Sequence, residues 1–354
     1  MAMKSLPWNG LMRVSARLGG TFLQSLCPIP LVFEKRPPCP CYIANRFWTG
    51  MGTAISRITL KRFICFISMV VTLLGVNSQP MCASFRDALG REVTLEAPPQ
   101  RLIGLAPSIT EILYYLGLGD RVVGVTQFST YPPEAALKPK VGTYVNLNVE
   151  RIIDLTPDLV IATQDGNERR DVELLEQAGI TVYVVNPRNV SSLVETIQEV
   201  GTLSGVPQRA KAQSHKLASR VDRIVEKTTL LPKPLVFVQI QLKPIMTVNK
   251  HTFHHDLIRL SGGRNMTGDE PITYPRISLE EVIRRKPEVI LISSMERQGR
   301  FEKARLEWFQ WTSIPAVQTG RVHLIDSDLI DRPSPRLIDG LEAMAKFIHP
   351  EVYK

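Results

Sequence analysis

One stretch of this chain occurs twice. Tyr144–Ile161 is echoed 130 residues later, without a gap, by Tyr274–Leu291. In both copies an aromatic residue is followed by a helix-capping residue (Asn148, Ser278), a glutamate two places on (Glu150, Glu280), an apolar pair, then Pro and an acid (Pro157-Asp158, Pro287-Glu288) ahead of an apolar run. Asn and Ser accept hydrogen bonds from the free amides of a first helical turn, and Pro stops a helix before the next strand. The repeat therefore predicts two equivalent units, each presenting a loop and a helix start from the same place.

The surrounding pattern fills in those units. Strand material at Arg91–Leu95 opens the body, runs at Arg101–Leu105, Val122–Val125, Leu159–Ala162 and Thr181–Val185 read as further strands, and Asp171–Ala178 as a helix between them. After Pro107, Ser108 or Thr110 is expected to cap a helix with apolar positions Ile112, Leu113 and Leu116 that ends at Gly117 and Gly119. Strand material recurs at Leu235–Ile240, Val289–Ile292 and Val322–Ile325, with helices over His254–Leu260 and Pro335–Ile348. Buried runs alternating with helices define an α/β fold with mostly parallel sheets. Between the units, Val190–Glu226 is almost continuously helical, broken only at Gly205-Val206-Pro207, and Pro207 suits a first helical position. The expected organisation is a leader over 1–82, an N-terminal lobe over 83–207, one long bridging helix over 208–229 and a C-terminal lobe over 230–354.

The leader holds all five cysteines and most of the excess charge. It carries nine Lys or Arg against one acid, Glu34, which leaves 34 basic against 33 acidic residues for the rest. A nearly neutral body has no electrostatic footprint for nucleic acid. Arg57, Lys61 and Arg62 precede an apolar run of 14 residues, Phe63–Val76, and a short polar stretch ending at Met81-Cys82-Ala83. That is the order of a secretory signal peptide, and the run is shorter than the roughly 20 residues a transmembrane helix needs. Cleavage is expected near residue 83, with the start near Met51, and export to the periplasm follows. An exported body without cysteine relies on hydrophobic cores, not disulfides.

Few groups are arranged for chemistry. The six histidines lie outside any triad spacing, and no catalytic residue can be named. In His251-Thr-Phe-His254-His255 the first and last could share a helix face, yet Asp256 does not complete a metal shell, so no metal site is assigned. Gly262-Gly263 reads as a helix end, with no Lys-Ser/Thr behind it to hold phosphate. The aromatics Phe128, Tyr131, Tyr144 and Tyr274 instead fall in connections between elements, where ring faces suit a broad amphipathic ligand. Glu150 and Glu280 have two readings: first-turn acids that complement the helix dipole, or paired negative points offered to a partner.

These stretches resemble the periplasmic substrate-binding proteins of the vitamin B12 and iron-siderophore ABC importers, with the vitamin B12 binders the nearest. The resemblance is carried by Arg101–Leu113, Gly117–Val125, Tyr131-Pro-Pro133, Asn148–Ala162 and Arg332–Glu342, and covers residues 98–354. It implies two α/β lobes bridged by a single long helix, and a non-enzymatic protein, monomeric in solution, that holds cobalamin or another corrinoid as cargo. It needs no cofactor of its own. A ferric siderophore or haem-type chelate is the alternative cargo. Residue by residue, Phe128, Tyr144 and Tyr274 map onto aromatic ligand contacts, although the family typically has tryptophan where the two tyrosines stand. Arg276 and Arg332 are candidates for anionic groups. Glu150 and Glu280 map onto the glutamates that dock on a permease dimer served by ATPase subunits.

Overall fold

The computed structural model describes residues 83–293 and 300–353. The expected leader, with its signal peptide and start, lies outside them. In chain order the elements are β1 (Ala83–Arg86), β2 (Glu92–Leu95), β3 (Leu102–Gly104), α1 (Pro107–Tyr115), β4 (Val122–Val125), α2 (Pro133–Ala136), α3 (Val149–Asp154), β5 (Leu159–Thr163), α4 (Arg169–Gln177) and β6 (Val182–Val185). The helices α5 (Val190–Leu203) and α6 (Pro207–Thr228) follow. Then come β7 (Leu235–Gln239), α7 (Phe253–Leu260), β8 (Arg264–Asn265), α8 (Leu279–Arg285), β9 (Val289–Ile292), α9 (Arg300–Trp308), α10 (Pro315–Gln318), β10 (Val322–Leu324), α11 (Ser327–Ile330) and α12 (Leu337–Ile348).

Two four-stranded parallel sheets result, in the orders β4-β3-β5-β6 and β8-β7-β9-β10. The orders are the same once β3 is matched with β7, as the sequence echo requires. The correspondence extends to details. α3 and α8 begin 130 residues apart, as do β5 and β9. Thr156 and Lys286, also 130 apart and each ahead of the proline, are the only non-glycine residues with positive φ among the described ones (42° and 51°). The acid behind each proline ties the strand start to its neighbour. Asp158 Oδ2 accepts from Arg101 N at 2.9 Å, and Glu288 Oε2 accepts from Leu235 N at 2.7 Å.

Alternation along the strands divides the apolar residues between layers. Leu102, Leu159 and Ile161 join one core, while Ile103, Val160 and Ala162 face a second on the other side of their sheet. In the C-terminal lobe Val236, Val238, Val289 and Leu291 join that same first core, and Phe237, Ile290 and Ile292 face a third. The first core is continuous through both lobes because α5, α6 and α12 pack along it with Leu193, Ile197, Leu217, Ile224 and Leu341. Gly201 lets α5 and α6 touch. A Cβ there would meet that of Ala210 at 2.2 Å.

The bridge is thus a helical hairpin whose second arm, α6, is the expected long helix. Its 22 residues span about 33 Å at 1.5 Å per residue. Two expectations are corrected. Neither Ser108 nor Thr110 caps α1: Pro107 is already its first residue, Ala106 stands at the cap position, and both hydroxyl residues are buried inside the helix. The hairpin β1-β2, antiparallel and separate from both sheets, begins earlier than the strand signal at Arg91–Leu95.

Candidate ligand-binding site

Tyr144 and Tyr274 come from equivalent loops and pack on the same core. The loop ahead of α3 is a tight turn, in which Thr143 N donates to Asn146 O at 2.8 Å and Asn148 N to Val141 O at 2.9 Å. The buried Asn167 side chain anchors it, donating to the carbonyls of Tyr144 and Leu105, both at 2.9 Å. The Tyr144 hydroxyl donates to the carbonyl of Asp165. Gly166, at φ 142°, lies directly against that ring, and a Cβ there would fall inside it. Tyr274 sits in a bent segment laid along residues 245–249: Thr247 N donates to Pro275 O and Asn249 N to Thr273 O, both at 3.0 Å.

Both rings pack on the core shared by the lobes. Burial pushes each hydroxyl up to about 12, with Asp165 adding to the shift in both and Arg188 opposing it. The Tyr144 hydroxyl also feels Tyr274 across the lobe boundary. Two neutral phenols therefore present apolar faces and hydrogen-bonding tips at working pH, which fits an amphipathic cargo.

Phe128 stands beside β4, 54% exposed, in a turn fixed from below by buried hydroxyls. Thr126 Oγ1 and Ser129 Oγ are 2.8 Å apart, and Thr110 Oγ1 donates to Ser129 Oγ at 3.1 Å. Tyr131, a few residues on, lies under the guanidinium of Arg336 at 4.0 Å from the ring centroid. Arg336 forks onto the buried carboxylate of Glu111, Nε at 2.9 Å and Nη2 at 2.7 Å, and this hydrogen bonding is the main cause of its raised pKa. Arg332 reaches the same carboxylate at 3.7 Å and Asp328 at 3.1 Å. It is thus supplied with acids from its own chain. Arg276 is exposed and forms no ion pair among the described residues.

The cluster of Glu111, Arg332 and Arg336 joins α1 of one lobe to the start of α12 in the other. Glu111 and Arg336 carried no signal as a pair in the sequence, being 225 residues apart.

Both echoed caps form. Asn148 Oδ1 accepts from Arg151 N at 2.8 Å, and Ser278 Oγ from Glu281 N at 3.2 Å. Glu150 and Glu280 fall in the first turns of α3 and α8 and are exposed. The Glu280 backbone amide and the Ser278 hydroxyl hold its carboxyl below the usual range. Glu281, its neighbour, is instead engaged by Arg284 and Arg285. The histidines separate: His254 is buried against Asp331, Nε2 to Oδ1 at 3.0 Å, while His251 is exposed. Among the described residues no cluster of three or more His, Cys, Asp or Glu could hold a metal, and no helix is long and apolar enough to cross a membrane.

Two α/β lobes of like topology, a helical bridge and an aromatic residue from each lobe on their shared core define a substrate-binding protein of the class that uses a helix in place of a flexible hinge. The chain belongs to the periplasmic binding protein family, which it matches over residues 102–329. It is 33% identical over 247 residues to the vitamin B12-binding protein of Vibrio parahaemolyticus, covering 69% of this chain and 87% of that one. The crystal structure of the periplasmic vitamin B12-binding protein BtuF of Vibrio cholerae superposes with a TM-score of 0.64 at 30% identity, over 73% of this chain and 99% of that one. A periplasmic heme-binding protein from Pseudomonas aeruginosa is also similar, with a TM-score of 0.64 at 26% identity, over 72% of this chain and 94% of that one.

Proposed function

We propose that this protein captures a corrinoid, cobalamin or cobinamide, between its lobes and delivers it to an ABC import permease dimer with its ATPase subunits. The observation that carries the reading is that Tyr144 and Tyr274, from equivalent loops of the two lobes, pack on one shared core, in a chain whose relatives include vitamin B12-binding proteins. Phe128 adds an exposed ring on the N-terminal side, and Arg276 and Arg332 are the candidate contacts for polar edges of the cargo. No bond is made or broken: the protein binds, carries and releases, as a monomer in the periplasm, after removal of a signal peptide near residue 83. The similarity to a heme-binding protein favours a metal chelate of the haem or siderophore kind as the second reading.

Calorimetric titration with cyanocobalamin, cobinamide and a ferric hydroxamate decides between them. Corrinoid binding that weakens by about 1–3 kcal/mol in Tyr144→Ala or Tyr274→Ala is expected for anchoring rings. Binding of the iron chelate alone would transfer the assignment to the second reading.

Glu150 and Glu280, one at each echoed helix start, would each meet a basic residue on one of two like permease subunits. Such pairs fix orientation more than they add affinity, since desolvation offsets the Coulomb gain. Replacing both by Ala should leave cargo affinity unchanged and weaken docking and uptake. Undiminished uptake would reduce them to first-turn acids serving the helix dipole.

A further inference from the structure

Beside the tyrosine pair lies a polar cavity of about 570 Å³. It adjoins the aromatic site through Thr273, which precedes Tyr274, and through Arg188, whose charge acts on both tyrosine hydroxyls. Its basic lining comes from both sides of the lobe boundary: Arg188 after β6, and Lys250, His251 and His255 around the start of α7. Asn189 and Thr252, the caps of α5 and α7, also face it, so two helix starts border the same space.

The lining contains one acid, and that acid is already engaged. Asp256 accepts from Val190 N at 2.9 Å through Oδ2 and pairs with Arg259 at 2.6 Å through Oδ1. Arg188 meets Asp165 in an exposed pair at 3.2 Å, which solvent weakens. Lys250 and His251 are held by their backbones, to Gly268 O at 3.0 Å and Asn249 Oδ1 at 2.8 Å, while their side chains have no partner among the described residues. The nearest contact of the His255 ring, Nδ1 to Asn265 Nδ2, is a long 3.4 Å. Donors from both lobes, with the positive charges of Arg188 and Lys250 among them, thus face a space whose one lining carboxylate is already engaged.

We infer that this cavity seats an anionic oxygen group, phosphate or carboxylate, next to the aromatic site. On the corrinoid reading of that site, the group is the phosphodiester of a nucleotide loop, which cobalamin has and cobinamide lacks. A free anion such as phosphate is the other source of the same chemistry.

The test titrates the purified protein, Lys250→Gln and Lys250→Gln/His251→Gln with cyanocobalamin, cobinamide and inorganic phosphate in phosphate-free buffer, with thermal melts as the check on folding. Loss of one charge-assisted contact should weaken cobalamin by about tenfold and leave cobinamide as it was. Phosphate binding by the parent that is lost in the variants, with both corrinoids unaffected, identifies a free anion as the occupant. If no corrinoid binds and phosphate binding is still lost in the variants, the cargo assignment fails and the anion site stands. Cobalamin and phosphate behaving alike in parent and variants, or phosphate ignoring a parent that binds no corrinoid, overturns the inference.

Discussion

Glu111→Gln removes the charge at the centre of the inter-lobe cluster while keeping its shape. The Glu111 side chain is 3% exposed, and those of Arg336 and Arg332 are 17% and 21% exposed, so water replaces little of what is lost. The two forked contacts from Arg336, at 2.9 and 2.7 Å, become at best one hydrogen bond from the cation to a neutral amide oxygen, and Arg332 is left with Asp328 alone. Breaking one side of a buried pair costs about 3–5 kcal/mol, and the glutamine oxygen recovers about 1 of these. A net loss of about 3 kcal/mol, at about 2 °C per kcal/mol for a folded unit of this size, lowers Tm by about 6 °C in scanning calorimetry. In a double-mutant cycle with Arg336→Gln, the two single costs should sum to clearly more than the double, because each deletion leaves the other charge stranded. A Tm within 1 °C of the parent, or strictly additive costs, would refute the view that this pair ties the lobes together.

Gly166→Ala should destabilise by about 2 kcal/mol, since it combines a φ foreign to L residues with a collision against the Tyr144 ring, and should weaken cargo binding by displacing that ring; denaturant melts and titration check both, and a stable variant with unchanged affinity would contradict it. The tyrosines also set an alkaline limit. Their folded pKa values near 12 exceed the ordinary 10, so their contribution to stability is complete below pH 10 and is lost as pH rises through 12. Phenolate absorbance should show both remaining neutral up to about pH 11 in the folded protein and ionising near the ordinary 10 only on unfolding; two early-titrating phenols in the folded state at these positions would refute their burial.

The sequence made the echoed half of the architecture readable because each of its signals is local. Asn148 and Ser278 cap within three residues of themselves, and proline ends each helix next to its strand. The left-handed turn at Thr156 and Lys286 left no comparable mark, since neither residue type favours it. The cap of α1 was misassigned because Ser108 and Thr110 have the right chemistry one turn too late, behind a proline that starts the helix itself. The aromatic residues of the site stood out as rings in loops. Arg336 and Glu111 did not, because an acid inside an apolar helix and an arginine 225 residues later become a pair only when the lobes meet. Arg332, readable as a free cation, acquires two carboxylates by the same event.

The core that runs unbroken through both lobes has a consequence for how a full carrier differs from an empty one. Leu159 of one sheet and Leu291 of the other lean on the same helices, so neither lobe can swing without tearing contacts that hold both. The pocket is therefore standing before cargo arrives, little binding energy is spent on assembling it, and capture is governed by encounter more than by rearrangement. Empty and loaded molecules should therefore have nearly the same silhouette, which their scattering profiles would show. On that expectation, a recipient that must tell them apart would have to sense the cargo itself at the mouth, or the few side chains it pushes aside.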